Sequence, residues 1–161
     1  MRVLAADPGY DRLGVAVMER ASGTDTLVYS SCITTKKSLP PADRLHDIGT
    51  AFEALLAKYT PDIVALETLF FNKNQKTALA VAEARGALTY LARTRGASVR
   101  EYSPQQIKIA VTGHGGSDKR QVATMVKRLV PEAPTRALDD EYDAIALALT
   151  ALASEKTLSI R

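Results

Sequence analysis

Two acidic residues each end a short apolar run of the chain. Asp7 follows Val3-Leu4-Ala5-Ala6, and Glu67 ends the run Asp62-Ile63-Val64-Ala65-Leu66-Glu67. Apolar runs of this length are typical of buried strands, and the dipeptide Pro8-Gly9 ends the first one. A carboxylate at the end of a buried strand is costly unless a cation meets it, and a divalent metal ion is one such cation. The two runs therefore predict two candidate metal ligands.

A further group of acids opens an apolar helix that is predicted from Leu138 to about Ser154. Its members are Asp139, Asp140, Glu141 and Asp143. The helix dipole favours negative charge at this position, so the group alone is an ordinary helix start. Asp140 and Asp143, however, are spaced i,i+3 and share a helix face, whereas Asp139 is expected to be the N-cap. If this helix lies over the carboxyl ends of the two strands, its acid pair converges with the strand-end acids.

Four converging carboxylates indicate bound metal, because without cations they would repel one another. Hard oxygen ligands without His or Cys select Mg²⁺ or Mn²⁺ over zinc. Two such ions ~3.5–4 Å apart are the usual arrangement for phosphodiester cleavage, in which one activates water and the other stabilises the leaving oxygen. Each acid also has an ordinary alternative: capping a turn, facing solvent, or interacting with the helix dipole.

The charge of the chain is unevenly distributed. Residues 1–84 carry nine Lys and Arg against ten acids, residues 85–130 nine against two, and residues 131–161 three against six, for a net charge of +3. A basic centre beside acidic segments is what a metal-dependent enzyme acting on a polyanion needs, with the basic part binding phosphates. The alternative is a solvated helix face.

The chain of 161 residues, 46% of them hydrophobic, is expected to form a single domain over residues 1–161. A single cysteine, Cys32, excludes a disulfide framework and a cysteine-based zinc site, which fits a reducing compartment. No stretch resembles a signal peptide or a membrane span. We therefore expect a cytoplasmic protein with no membrane contact.

The remaining elements follow from periodicity and turn residues. Between the two acid-ended strands we predict two antiparallel strands and a helix; after them come a helix, a strand and two further helices. The predicted segments are strands Gly14–Met18, Thr26–Thr34 and Ala97–Tyr102, and helices opening at Pro40-Pro41, spanning Thr77–Arg93, opening at Pro104, and running to Leu129 with Ser117 as N-cap. Three strands in a meander followed by alternating helices and strands imply an α/β fold, a mixed sheet with helices on both faces.

Several motifs, in their order and spacing, resemble the RuvC family of Holliday-junction resolvases over nearly the whole chain. They are Asp7-Pro8-Gly9 followed by Gly14, Ala65-Leu66-Glu67 with Phe70, Ala84-Arg85-Gly86, the run from Gly113 to Val122, and Asp140-x-x-Asp143-Ala144. The resemblance implies a ribonuclease H-like three-layer fold with a mixed five-stranded sheet flanked by helices. It also implies a homodimer that binds a four-way DNA junction and makes two symmetric nicks.

The resemblance also assigns roles to individual residues. Asp7, Glu67, Asp140 and Asp143 take the four catalytic, metal-binding acid positions, with two Mg²⁺ ions that Mn²⁺ can replace. Lys108 and Lys119 match family lysines that contact the DNA backbone or support catalysis, and Phe70 matches an aromatic residue near the junction centre. RuvA and RuvB branch-migration proteins are the partners that the family suggests.

Further DNA contacts are expected around these positions. They are Phe71, Asn72, Lys73, Asn74, Lys76, Arg85, Gly115 and Ser117. An aromatic ring can stack on an exposed base, worth ~1–3 kcal/mol, and the polar loop supplies donors for phosphates. The glycine loop before Lys119 lets backbone N–H groups approach a phosphate. Core packing of the two Phe rings and an ordinary polar loop are the alternatives. The small-residue helix from Ala82 to Leu91 is the candidate dimer contact, and its alternative is packing on the protein's own sheet.

Some positions depart from the family pattern, and other functions remain open. Tyr10, Asp11 and Leu13 replace residues that are commonly small, basic and hydroxylic, and Tyr142 stands where a small residue is usual. A ribonuclease H-like nuclease of the YqgF type, processing structured RNA, is the nearer alternative. An actin-like or sugar-kinase ATPase shares the Asp-x-Gly turn but needs two such domains. A junction-binding module without catalysis is disfavoured by the intact acid set.

Overall fold

The computed structural model describes residues 1–68 and 75–158, without the side chains of residues 75–77 and 156–158. Five strands and five helices are present in this part of the chain. In chain order they are β1 (Arg2–Asp7), β2 (Arg12–Ala21), β3 (Thr24–Thr34), α1 (Pro41–Tyr59), β4 (Ile63–Glu67), α2 (Gln75–Thr94), β5 (Ser98–Tyr102), α3 (Pro104–Thr112), α4 (Lys119–Leu129) and α5 (Asp139–Leu158).

The strands form one mixed sheet in the order β3-β2-β1-β4-β5. Strand β2 pairs antiparallel with β1 and with β3, whereas β4 is parallel to both β1 and β5. The β2–β3 hairpin turns at Ser22 and Gly23, which both have positive φ, 51° and 84°. Two such residues in succession are the signature of the tight turn that matches strand twist. The predicted meander and mixed five-stranded sheet are confirmed.

Helices cover both faces of this sheet, because side chains alternate between its faces along each strand. On one face, Leu4 and Val64 pack with Phe52 of α1 and Leu88 of α2. On the other, Val3 and Ala5 pack against α3, α4 and the apolar centre of α5. This is the expected three-layer α/β arrangement.

The strand register places the two predicted strand-end acids at one edge. Ala6 of β1 is paired with Leu66 of β4 in parallel, so Asp7 and Glu67 follow as neighbours at the carboxyl ends of adjacent strands. Helix α5 packs across β1, β2 and β4 and brings its acidic first turn to this edge.

Two predicted helix caps were wrong by one residue. Helix α4 is capped by Asp118, not Ser117: the Asp118 carboxylate accepts from the Gln121 N–H at 2.8 Å, and the Gln121 side chain accepts from the Asp118 N–H at 2.8 Å. This reciprocal pair satisfies two helix-end donors at once. Helix α5 begins at Asp139, so the acid expected as its N-cap is its first residue.

No helix within the described ranges combines the length and the apolar character that crossing a membrane requires.

Candidate active site

A cavity of about 300 Å³ opens at the carboxyl ends of β1 and β4. Three of the four predicted acids line it, together with both predicted lysines. The lining side chains are Asp7, Glu67, Lys108, Lys119 and Asp143, with Pro104, Ile107 and Val122 forming the apolar wall. Two strands and three helices therefore converge on one acidic pocket that has a basic rim.

Burial and mutual repulsion hold the protons of these acids tightly. Burial, followed by the charges of Glu67, Asp143 and Asp140, raises the pKa of Asp7 to about 7. The pKa values of Glu67 and Asp143 are also raised, in both cases chiefly by burial. A carboxylate surrounded by carboxylates ionises readily only when a cation arrives. The pocket is thus electrostatically prepared for positive charge.

Lys119 supplies part of that charge from the first turn of α4. Its Nζ donates to Asp143 Oδ2 at 2.9 Å. Burial lowers the pKa of Lys119, but the hydrogen bond and the charge of Asp143 outweigh burial, and the net pKa is raised. The charge of Lys108 acts in the same sense on the pocket, since it opposes the rise in the pKa of Glu67.

Asp140 lies beside the pocket and faces a neighbouring cavity of about 680 Å³. Its Oδ2 is 3.3 Å from Arg12 Nε, yet this buried oxygen has no hydrogen-bond partner. Its charge still reaches the pocket, because it contributes to the raised pKa values of Asp7 and Asp143. The structure therefore brings Asp7, Glu67 and Asp143 together in one pocket and places Asp140 in the neighbouring cavity.

The donor set fits hard divalent cations, since it consists of carboxylate oxygens. Within the described part of the chain, no group of three or more Asp, Glu, His or Cys side chains is already arranged around a metal position. Cationic side chains contact two of the acids, since Lys119 pairs with Asp143 and Arg12 with Asp140. The Asp140 oxygen that Arg12 contacts has no hydrogen-bond partner, and the carboxylates present fit a hard divalent cation such as Mg²⁺ or Mn²⁺.

Arg85, expected to contact DNA, is engaged within the protein. Its Nε donates to the backbone oxygen of Glu67 at 3.2 Å, and its guanidinium forms an ion pair with Glu101 on β5. Arg85 thus ties α2 to the end of the strand that carries Glu67.

The glycine loop also uses its polar groups internally. Ser117 is 4% exposed, its Oγ lies 2.7 Å from Thr112 Oγ1, and its N–H donates to the His114 oxygen. Gly115 packs on Gln105, whose Cγ would lie 2.9 Å from a β-carbon there. The loop is therefore a folded turn that leads into α4.

Six other predicted DNA contacts lie outside the part of the chain that the structure describes. They are Phe70, Phe71, Asn72, Lys73, Asn74 and the side chain of Lys76.

Sequence reasoning missed the residues that surround Asp140. Tyr10 donates its hydroxyl hydrogen to Glu83 at 2.6 Å, and burial together with this bond raises the pKa of Tyr10 to about 12. Asp11 pairs with Lys37 and Arg44, which lower its pKa. These contacts join β1–β2 to α1 and α2, so the departures at Tyr10 and Asp11 are accommodated as a local polar network. No spacing in the sequence marks Arg12 as a partner of Asp140.

Comparisons with known proteins agree with this fold and identify a family. Residues 3–151 match the family model of crossover junction endodeoxyribonuclease RuvC. The protein of that name from Brevibacillus brevis is 40% identical over 150 residues, covering 93% of this chain and 90% of the relative. The protein of the same name from Thermosipho melanesiensis is 40% identical over 148 residues, covering 92% and 94%.

Solved structures give the same result. Thermus thermophilus RuvC has a TM-score of 0.84 at 31% identity, with 98% of this chain and 96% of that chain covered. The T. thermophilus RuvC complex with a Holliday junction substrate has a TM-score of 0.90 at 29% identity, with 99% and 97% covered. This chain therefore belongs to the RuvC family of crossover junction endodeoxyribonucleases.

Proposed function

We propose that this protein resolves four-way (Holliday) DNA junctions by paired symmetric nicks. The observation that carries the proposal is the pocket in which Asp7, Glu67 and Asp143 meet at the ends of two adjacent parallel strands, with Lys119 on its rim. Family membership and the likeness to a RuvC structure bound to a Holliday junction give the substrate class.

Two Mg²⁺ ions, replaceable by Mn²⁺, are the proposed cofactors, held by Asp7, Glu67, Asp140 and Asp143. When bound, such ions supply a water of lowered pKa and stabilise charge on the scissile phosphate and the leaving oxygen. The protein's own side chains bind these ions and the phosphate. Asp7 is the most buried of the pocket acids and releases its proton when positive charge enters, because its pKa of about 7 reflects burial and its acidic neighbours. Lys119 and Lys108 face the same space and attract a phosphate to it.

DNA contacts are proposed both within the pocket and in the chain segments next to it. Phe70, Phe71, Asn72, Lys73 and Asn74 follow Glu67 in the sequence and precede α2, and Lys76 is in its first turn. An aromatic ring in such a segment can stack on an unpaired base. Lys108 on α3 and Lys119 on α4 line the pocket itself, and the turn between them contains Gly115 and the buried Ser117. The branch-migration proteins RuvA and RuvB are the proposed functional partners.

A homodimer is proposed because two symmetric nicks need two active sites. Helix α2 carries Leu79 and Tyr90, which are 65% and 70% exposed, and Gly86, around which space is open. Positions 79, 86 and 90 share one helix face at 3.6 residues per turn. Glu83 lies on the same exposed stripe but accepts a hydrogen bond from Tyr10, and the other exposed residues of the stripe are apolar or small, which suits contact with a second copy.

Nicking of a synthetic mobile four-way junction tests the proposal. With Mg²⁺ or Mn²⁺, the protein should cut two opposed strands symmetrically, and Asp7→Asn should bind the junction without cutting it. Asp47→Asn, the same substitution on the exposed face of α1, is the matched control and should cut like the wild type.

Linear duplex and a structured RNA in the same assay decide between the substrate classes. Equal cutting of linear duplex, or full activity of Asp7→Asn, contradicts junction resolution. Preferential cutting of the structured RNA would instead favour the YqgF-type nuclease hypothesis.

A further inference from the structure

Asp140 forms one ion pair within the described part of the chain, and its partner is Arg12. Arg12 stands at the start of β2, and its Nε lies 3.3 Å from Asp140 Oδ2. This oxygen is buried and makes no hydrogen bond. The contact between the two side chains is therefore electrostatic, without the geometry that would lock them together.

The two side chains differ in their access to solvent. The Arg12 side chain is 48% exposed, whereas that of Asp140 is 22% exposed. An exposed guanidinium can leave such a pair at modest cost, because surface ion pairs contribute little to stability. Asp140, in contrast, is held by the packing of the first turn of α5. Arg12 is thus the movable partner.

A divalent cation and Arg12 would compete for the same oxygen. Asp140 also acts electrostatically on Asp7 and Asp143, so a positive charge at Asp140 reduces the negative potential of the whole pocket. Lys37, on the same side of the molecule, differs in that it pairs with Asp11 at 3.0 Å. It offers the same unit charge without contact with Asp140.

We propose that Arg12 is a positioning residue that occupies the Asp140 carboxylate and so lowers the affinity of the substrate-free protein for divalent metal. This inference rests on the proposed metal-dependent function of the same pocket. A DNA phosphate that draws Arg12 from Asp140 would leave the Asp140 carboxylate open to metal, which couples substrate binding to assembly of the metal site.

Calorimetric titration of the protein with MnCl₂, without DNA and at about 0.15 M salt, tests the inference. Arg12→Gln should bind Mn²⁺ about three- to tenfold more tightly than the wild type, as expected for loss of a partly exposed competing charge. Arg12→Lys should stay near the wild type. Lys37→Gln, the matched control, should change the affinity by less than about twofold, because screening weakens distant exposed charges.

A double-mutant cycle makes the test specific to the pair. In an Asp140→Asn background, Arg12→Gln should have no further effect on Mn²⁺ affinity. Unchanged or weaker binding by Arg12→Gln, an equal gain in Lys37→Gln, a gain that persists without Asp140, or no Mn²⁺ binding by the wild type would each overturn the inference. Junction nicking by the wild type is scored separately, so failure of the proposed function is distinguishable.

Discussion

The backbone oxygen of Asp140 lies 1.9 Å from the position that a β-carbon would take on Gly14. Gly14 is in β2, paired with Asp7 of β1, so the absent side chain lets the first turn of α5 lie directly on the sheet beside the pocket. Gly14→Ala should force these backbones apart and lower the free energy of unfolding by about 1–3 kcal/mol, as for other overpacked sites. It should also abolish junction nicking. Urea denaturation and the nicking assay measure the two effects.

Gly49→Ala is the matched control for that substitution. A β-carbon there would meet only the Leu91 Cδ1 atom, at an ordinary 3.7 Å, and Gly49 lies inside α1. Alanine should therefore raise the free energy of unfolding by about 0.5–1 kcal/mol through its helix propensity. If Gly14→Ala were as well tolerated, close packing of α5 on Gly14 would not be needed to hold the site.

The raised pKa of Asp7 predicts that metal-free protein loses stability as the pH rises. The pKa increases from 3.8 to about 7 on folding, chiefly through burial and then through Glu67. Between these values the native state binds more protons than the unfolded chain, so the contribution of Asp7 to the free energy of unfolding falls from about pH 4 to about pH 7. Asp7→Asn should remove this loss and be more stable than the wild type at pH 8 by an amount on the order of a few kcal/mol. Urea denaturation across this pH range in the presence of a chelator measures it.

Asp47→Asn serves again as the control, because this exposed acid should leave the pH dependence unchanged. Adding Mg²⁺ at pH 8 should stabilise the wild type more than Asp7→Asn, since a ligand stabilises only the state that binds it. A wild type and an Asp7→Asn variant with parallel pH profiles would rule out an unusual proton affinity at Asp7.

The strand-end acids could be predicted from the sequence because the signal is local. Each apolar run is too short for a helix and stops at a carboxylate, and parallel strands then bring Asp7 and Glu67 to one edge. The i,i+3 spacing of Asp140 and Asp143 predicts less clearly that both side chains enter one pocket. It separates the two side chains by roughly 60° around the helix, enough for them to reach different partners. Lys119 forms an ion pair with Asp143, and Arg12 forms one with Asp140. Tertiary packing, which the spacing of the acids does not reveal, determines these partners.

Arg85 illustrates the same limit for predicted DNA contacts. Arg85 is predicted to contact DNA as part of the family-like motif Ala84-Arg85-Gly86, and it also lies in the basic segment 85–130. In the fold, its guanidinium instead contacts Glu101 and the backbone oxygen of Glu67. Charge counts along a chain identify a basic segment but not which of its cations face inward. That distinction depends on strand β5, which meets α2 only in the folded protein.

Arg85→Gln should therefore impair the nicking step more than junction binding. Loss of the guanidinium frees the end of β4 and displaces Glu67, and a misplaced catalytic group costs rate. We expect the single-turnover nicking rate to fall about ten- to a hundredfold while junction affinity, measured without metal by gel shift, stays nearly constant. If Arg85 contacted DNA, Arg85→Gln would instead lower the junction affinity and make that affinity less dependent on salt.

The charge-swapped pair Arg85→Glu with Glu101→Arg separates these roles further. It restores the link between α2 and β5 while removing the cation from position 85. Partial recovery of nicking relative to Arg85→Glu alone would support positioning. No recovery, together with weakened junction binding in both variants, would assign Arg85 to the DNA.

The exposed stripe on α2 predicts that one charged substitution separates the two copies of the protein. Leu79→Glu places a second carboxylate one turn from Glu83, on the face that carries Gly86 and Tyr90, and burying it unpaired in an interface is strongly unfavourable. Sedimentation at micromolar concentration should show a dimer for the wild type and a monomer for Leu79→Glu. Leu129→Glu, at the exposed end of α4, is the control and should remain dimeric. Because symmetric resolution needs two linked active sites, the monomer should make single, uncoordinated nicks. A wild-type monomer, or a dimeric Leu79→Glu variant, would exclude this face as the interface.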